Sequence, residues 1–343
     1  MCRIPQNNNM NNNNNINNNS NLMSFEAFCE AVQQDVKQVL EEKTGEVFNV
    51  SPAIVDKLQG EGYSGLRIGY EGSDISASIN MKPFFERYTE GTGYDSVVSE
   101  LAAYADRSLE KCPSFVVQEL TEYERMKEHL IMQVVSTANN AEMLSGLPHK
   151  EIEDMSIVYR FLVTVGENDE GSILVTNKLL RTMGVSPEQV IADAEEYAPV
   201  NHPAEIRSMA EILAEMAGLT VDEFNDVYGD GIPMRVASNI TKLHGASVIA
   251  YPGFMEKAAE EMGGDFYILP SSIHEVILVP DDGNMDTSAM IEMVSSVNAT
   301  QVAPCDRLTD NVYHYSCAEK SFKRVGENSN ITDINSKTNS AMA

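Results

Sequence analysis

From Phe25 onward the apolar residues of this chain change their spacing repeatedly, and no one spacing outlasts a single helix. Phe25, Phe28, Val32, Val36, Val39 and Leu40 recur at three- and four-residue intervals, which marks one apolar helix face. Ser24 supplies an N-cap and Thr44-Gly45 a stop. The next runs, 47–50, 66–70 and 75–79, are short, apolar and separated by Gly-rich turns, so strands are expected. Helical spacing returns over 82–89, 94–111 and 118–133, with Val97, Leu101, Tyr104 and Leu109 on one face of the middle segment. Helices interleaved with short, tightly connected strands predict an α+β fold in which small antiparallel sheets pack with helices.

The length, 343 residues, suits two such modules at about 100–200 residues per domain. Residues 24–135 form the first expected module and 146–324 the second, with the polar stretch 136–145 between them. The second opens with strands at 157–165 and 172–175 around Gly166-Glu-Asn-Asp-Glu-Gly171, then a helix over 177–183 that stops at Gly184. Ser186-Pro187 and Thr220-Val-Asp-Glu223 are helix starts. Between them Ile206, Met209, Ile212, Leu213 and Met216 outline an amphipathic helix. Strands are expected at 234–238, 247–250, 266–269 and 276–279, helices at 254–262 and 287–297, and an edge strand at 313–315. The order strand, turn, strand, helix, Met-Gly at 157–184 recurs at 234–263, which fits either a duplicated unit or two independent α+β units.

Residues 7–21 are almost all Asn, broken by Met10, Ile16 and Ser20, and cannot bury apolar area to offset the entropy of ordering. Residues 1–22 therefore read as a disordered leader and 325–343 as a disordered tail. The leader fits a self-associating tract or an inert extension, and Met23-Ser-Phe-Glu resembles a natural start.

Charge narrows the partners. With 52 acidic and 24 basic residues the net charge is −28, which repels nucleic-acid phosphates and anionic membrane surfaces. A protein partner or a cation is the fitting counterpart. Cys2, Cys29, Cys112, Cys305 and Cys317 are odd in number and irregularly spaced, as reduced cytoplasmic thiols are. No apolar run approaches the length of a membrane span, and the first 23 residues lack a signal-peptide core.

Chemistry-bearing motifs mostly fail their context. Gly60-Glu-Gly-Tyr-Ser-Gly65 matches a dinucleotide fingerprint, but a strand follows it where a helix is needed, so a hairpin turn is expected and no cofactor. Phosphate-loop, zinc-protease and nucleophile-elbow motifs are absent from the sequence. Asp281, Asp282, Asn284, Asp286 and Glu292 lack the ligand order of a calcium loop and suit a turn followed by an N-cap. Cys305, His314 and Cys317 are three metal-ligating residues without the fourth that a structural zinc needs. The densest polar segment is Pro270-Ser-Ser-Ile-His-Glu275. Ser271 or Ser272 with His274 would make a nucleophile–base pair, Asp306 or Asp310 would orient the imidazole, and Glu275 adjoins them. The same Ser-Ser-x-His string is also good turn chemistry.

Gly263-Gly-Asp-Phe-Tyr-Ile-Leu-Pro-Ser-Ser-Ile-His-Glu-Val-Ile-Leu-Val-Pro280 resembles the C-terminal signature of a family of uncharacterised clostridial proteins. So do Val297-Asn-Ala-Thr-Gln-Val-Ala-Pro304, Asp306-Arg-Leu-Thr-Asp-Asn-Val-Tyr313, Val175-Thr-Asn-Lys-Leu-Leu180 and Leu147-Pro-His-Lys-Glu-Ile-Glu-Asp154. The resemblance covers most of 24–316 and implies a bacterial, cytoplasmic protein and one continuous homologous unit. It carries a domain-of-unknown-function label and implies no reaction. Two functions follow as expectations: a non-catalytic interaction or regulatory protein, or a small hydrolase or ligand-binding enzyme centred on Ser271–His274.

Overall fold

The computed structural model describes residues 22–73, 76–110, 122–165, 169–229 and 233–326. The expectations for residues 1–21 of the leader, 327–343 of the tail, the 166–168 part of the turn, Cys2 and Cys112 lie outside these residues, whereas Val325, expected in the tail, donates its N–H to the Val312 carbonyl at 2.8 Å. The architecture is α+β, with three antiparallel sheets among the described residues. Contacts divide the chain into two compact units. One holds the residues up to Val55 together with Tyr63–Glu110, the other Asp56–Gly62 together with the chain beyond Glu110.

The first unit opens with α1 (Phe25–Thr44). Ser24 Oγ accepts from the Ala27 N–H at 3.2 Å, and Gly45 ends the helix in left-handed backbone, φ 78°. The expected stripe is the buried one: Phe28, Val32, Val36 and Leu40. Strands β1 (Phe48–Lys57), β2 (Gly60–Tyr70) and β3 (Ala77–Asn80) form a sheet in that order, followed by α2 (Lys82–Thr89) and α3 (Tyr94–Glu110). Val97, Leu101 and Ala105 of α3 meet the α1 stripe and Phe48, Leu66, Ile68 and Ile79 of the sheet. Each large side chain fully buried there contributes about 1.5–3 kcal/mol. Tyr104, expected on the buried face of α3, is about half exposed instead, at 49%. Gly60–Gly65, expected as a turn, is the first half of β2; the turn is Leu58-Gln59, with Gln59 itself left-handed at φ 61°.

That turn is part of the second unit. The Gln59 N–H donates to Asn140 Oδ1 at 2.7 Å, and Gln59 Oε1 accepts from the Ser136 N–H at 2.9 Å. After α4 (Tyr123–Met126) comes β4 (Leu130–Ser136), where a helix over 118–133 was expected. All seven β4 residues are buried, so both faces are apolar and periodicity cannot separate strand from helix. Next are α5 (Ala141–Leu144), β5 (His149–Ile152), β6 (Met155–Val165) and β7 (Asp169–Leu174), a sheet in which β6 pairs with all three other strands. α6 (Asn177–Met183) and α7 (Pro187–Asn201) follow, α7 capped by Ser186 Oγ. Tyr159 and Phe161 of β6 join Leu130, Met132 and Val134 of β4 and Val190, Ala194 and Ala198 of α7 in the main core.

The rest builds a six-stranded sheet. Its elements are β8 (Ala204–Ser208), α8 (Met209–Ala217), α9 (Val221–Tyr228), β9 (Arg235–Asn239), α10 (Phe254–Met262), β10 (Phe266–Leu269), β11 (Val276–Pro280), α11 (Thr287–Thr300), β12 (Tyr313–Ser316) and β13 (Ser321–Arg324), with strand order β13-β12-β10-β11-β9-β8. Ile206, expected in a helix with Met216, lies in β8. A capping box between Ser208 and Glu211 breaks strand from helix at that point. Residues 247–250, expected as a strand, lie in a 3-10 helix, Gly245–Ala250, so the second copy of the suspected duplication lacks its hairpin. Asp286 caps α11 by accepting from the Ser288 and Ala289 N–H groups, the role expected of the acidic cluster. Leu269, Val279 and Val312 pack under Met290 and Val294 of α11 as a second, smaller core.

Candidate functional site

The segment Pro270–Glu275 is a strap between β10 and β11, pinned by backbone bonds on both sides. The Ser271 carbonyl accepts from the Leu308 N–H at 3.1 Å, and the Ile273 N–H donates to the Asp306 carbonyl at 2.9 Å. On the other side the Ile273 carbonyl accepts from the Ala246 N–H at 3.1 Å, and Ser238 Oγ donates to the His274 carbonyl at 2.7 Å. Gly245 permits this closeness: a Cβ there would lie 2.0 Å from Ser238 Oγ and 2.2 Å from the His274 carbonyl oxygen.

The strap holds Ser271, Ser272, His274 and Glu275, and the partners of the His274 ring are a carbonyl and a carboxylate. His274 Nδ1 sits 3.2 Å from the Lys242 carbonyl, which only accepts, so Nδ1 carries the hydrogen. Nε2 faces Asp306 Oδ1 at 3.5 Å. Neither ring nitrogen is paired with a serine hydroxyl. Ser272 Oγ instead accepts from the His274 backbone N–H at 3.0 Å, which is turn chemistry. Asp306 thus stands beside the imidazole as the triad pattern required. Asp310 does not: it accepts from Asn298 Nδ2 at 2.6 Å. Glu275 is exposed and lines a groove together with Ser238 and Lys242.

The three candidate metal ligands each hold a different carboxylate. Cys305 Sγ is 3.6 Å from Asp306 Oδ1, His314 Nε2 is 3.0 Å from Asp281 Oδ2, and the Cys317 N–H donates to Asp265 Oδ1 at 2.8 Å. The Asp265 carboxylate also pushes the Cys317 thiol pKa upward. Among the described residues no group of three or more His, Cys, Asp or Glu side chains could hold a metal ion.

Two features escaped the sequence reading. The first is the groove, about 470 Å³, with Met209, Ile212, Met216, Val236 and Ile277 among its apolar lining. Charged groups border it; Arg207 Nη2 pairs with Glu215 Oε2 at 2.8 Å, and Lys242 and Glu275 stand nearby. Beyond the groove the α8–α9 hairpin exposes Met216 (80%), Val227 (67%) and Tyr228 (67%), with Leu219 and Val221 also open. Met216 was read as part of a buried helix face, but α8 is only nine residues long and buries Ala214 alone. The second feature is a polar interior around β9 and the 3-10 helix, where His202 and Asn239 are buried and His244 is half-buried.

Residues 25–317 match the model of a family of unknown function, which spans both units and ends at Cys317 beyond β12. The chain belongs to DUF5688. Comparison of this DUF5688 chain with curated proteins and with solved structures returned no match. Among its described residues no helix is long and apolar enough to cross a membrane.

Proposed function

We propose that this DUF5688 chain is a non-catalytic docking protein of the bacterial cytoplasm, and that α8–α9 with the adjoining groove receives a basic, amphipathic segment of a protein partner. The carrying observation is the α8–α9 hairpin. Five apolar side chains at 216, 219, 221, 227 and 228 are open to solvent, while residues 209–228 contain Glu211, Glu215, Asp222, Glu223 and Asp226 and no Lys or Arg. Apolar surface rimmed by like charge marks an interaction site, and its complement is apolar with the opposite charge. The net charge of −28 favours the encounter over long range. A non-catalytic reading is further supported at the strap, where the His274 ring nitrogens face Lys242 and Asp306 and the Ser272 hydroxyl caps a turn.

The test is photocrosslinking from a benzoylphenylalanine placed at Tyr228 in the intact protein within native lysate, with the adduct peptide sequenced. The expected product is a peptide of another protein rich in Lys or Arg and apolar residues, lost in 0.5 M salt. Adducts only to a second copy of this chain, only to acidic peptides, or no adduct at all would overturn the reading.

A further inference from the structure

The six-stranded sheet ends in two strands of different character. β13 closes one side with Lys323 and Arg324 in succession, and cations on an edge strand discourage a further strand from adding. β8 closes the other side and reads Ala204-Glu205-Ile206-Arg207-Ser208, with neither Lys nor Pro inside it.

The register shows what the β8 edge offers. β8 runs antiparallel to β9, with Glu205 opposite Ser238, Ile206 opposite Ala237 and Arg207 opposite Val236. The Met209 N–H donates to the Met234 carbonyl at 2.9 Å, and the Ile240 N–H donates to the Pro203 carbonyl at 3.0 Å, so hydrogen-bonded pairs mark both ends of this ladder. In an antiparallel ladder such pairs recur at every second residue. Glu205 and Arg207 therefore direct their N–H and C=O groups to β9, and Ile206 between them turns both of its groups outward. Neither Ile206 group has a hydrogen-bond partner among the described residues. The side chains alternate as a strand requires. Ile206 packs against the main core, while Glu205 and Arg207 line the groove on the other face. Arg207 commits Nη2 to Glu215 at 2.8 Å and has further N–H donors to offer. Glu205 is exposed.

This edge is complementary to itself. A second β8, turned antiparallel and centred on Ile206, sets its Arg207 opposite Glu205 and its Glu205 opposite Arg207. Ile206 then stands opposite Ile206, where the two outward N–H and C=O groups exchange two hydrogen bonds. Opposite charges and β-branched residues facing one another are favourable cross-strand pairs, and a two-fold axis supplies each of them twice. The net charge of −28 opposes self-association over distance, but physiological salt screens it beyond about 8 Å, so the contacts at the edge decide.

We infer that β8 pairs antiparallel with β8 of a second copy of this chain, continuing the six-stranded sheet across a two-fold axis at Ile206. The pairing uses none of the exposed apolar side chains of α8–α9 and stands independently of the docking function.

The experiment is sedimentation equilibrium of the full chain at physiological salt. The wild type is expected to show a monomer–dimer equilibrium. Glu205→Arg and Arg207→Glu each set like charges opposite one another twice, and each should weaken dimerisation at least tenfold. An equimolar mixture of the two variants restores both opposite-charge pairs and should form a heterodimer. The double variant, carrying both substitutions in one chain, should form a homodimer again. Circular dichroism confirms that each variant is folded; should Arg207→Glu fail to fold for want of its Glu215 partner, Glu205→Arg and the double variant carry the comparison. A wild type that stays monomeric, a dimer indifferent to the single substitutions, or no recovery in the mixture and the double variant overturns the inference.

Discussion

Tyr313 on β12 donates its hydroxyl hydrogen to Asp154 in the turn between β5 and β6, and this bond ties the two sheets of the second unit together. Thr309 Oγ1 and Asn311 Nδ2 donate to the same carboxylate at 2.9 and 2.8 Å. Burial by itself would raise the Asp154 pKa, but the three hydrogen bonds outweigh it and hold the group below the ordinary carboxylate value. Bonds to a charged acceptor are worth about 1.5–3 kcal/mol each, less when the carboxylate is partly exposed. Asp154→Ala is therefore expected to cost about 2–3 kcal/mol, and a double-mutant cycle with Tyr313→Phe to show coupling of about 1–2 kcal/mol. The pH sign follows from the depressed folded value. The Asp154 contribution is complete above the unfolded pKa of about 4 and is lost as the pH falls through the folded value. Urea unfolding of wild type and Asp154→Asn at pH 7 and pH 3 checks it, with the gap between them expected to shrink at pH 3.

Much of this framework was legible because its determinants are local. Ser24, Ser186, Thr220 and Asp286 cap helices through bonds to N–H groups two or three residues on, and each showed in the sequence. The α1 stripe was legible because one of its faces is apolar and the other wet. β4 was not, since it is buried on both sides and its run of apolar residues has no face to report. The site divides the same way. Ser272 and His274 bond one another across two residues, and their turn chemistry could be read; Asp154–Tyr313 and His274–Asp306 pair residues far apart in sequence, and only folding brings them together.

Gly245 should tolerate no side chain. Both of its nearest would-be neighbours, Ser238 Oγ and the His274 carbonyl, are committed to each other by a 2.7 Å hydrogen bond, so neither can give way without opening the strap. Gly245→Ala is expected to destabilise by about 2–3 kcal/mol, the upper range of overpacking effects. Gly60→Ala is the control, since a Cβ there would meet nothing nearer than Cys305 Cβ at 3.8 Å. Parallel thermal melts decide it; equal midpoints for the two variants would contradict the packing argument.

His244 gives the protein an acid-side weakness separate from the carboxylates. Its ring is held neutral, with the pKa down to about 4 against an ordinary 6.5. The unfolded chain therefore takes up its proton first as the pH falls. The stability it lends is present above pH 6.5 and drains away toward pH 4, by roughly 3 kcal/mol in all. His244→Gln, which cannot protonate, should show a flatter stability profile across that window. A wild-type imidazole titrating near 6.5 by NMR would remove the basis for this expectation.

The α8–α9 surface makes the sharpest separation between stability and function. Met216 and Tyr228 are 80% and 67% exposed, so replacing them with Glu removes little buried area. Isolated surface substitutions stay within about 0.5 kcal/mol. A partner anchored there loses far more, because large apolar side chains at the centre of an interface each carry about 2 kcal/mol or more. Met216→Glu and Tyr228→Glu should therefore leave the unfolding midpoint unchanged and weaken capture of the crosslinked partner peptide about thirtyfold each, measured by fluorescence anisotropy. Added negative charge on an already acidic face should, by simple Coulomb attraction, tighten a basic partner; loss of binding despite it would show that the apolar contact dominates. Tighter binding by both variants would instead make the interaction electrostatic alone, and the exposed Met and Tyr would need another occupant.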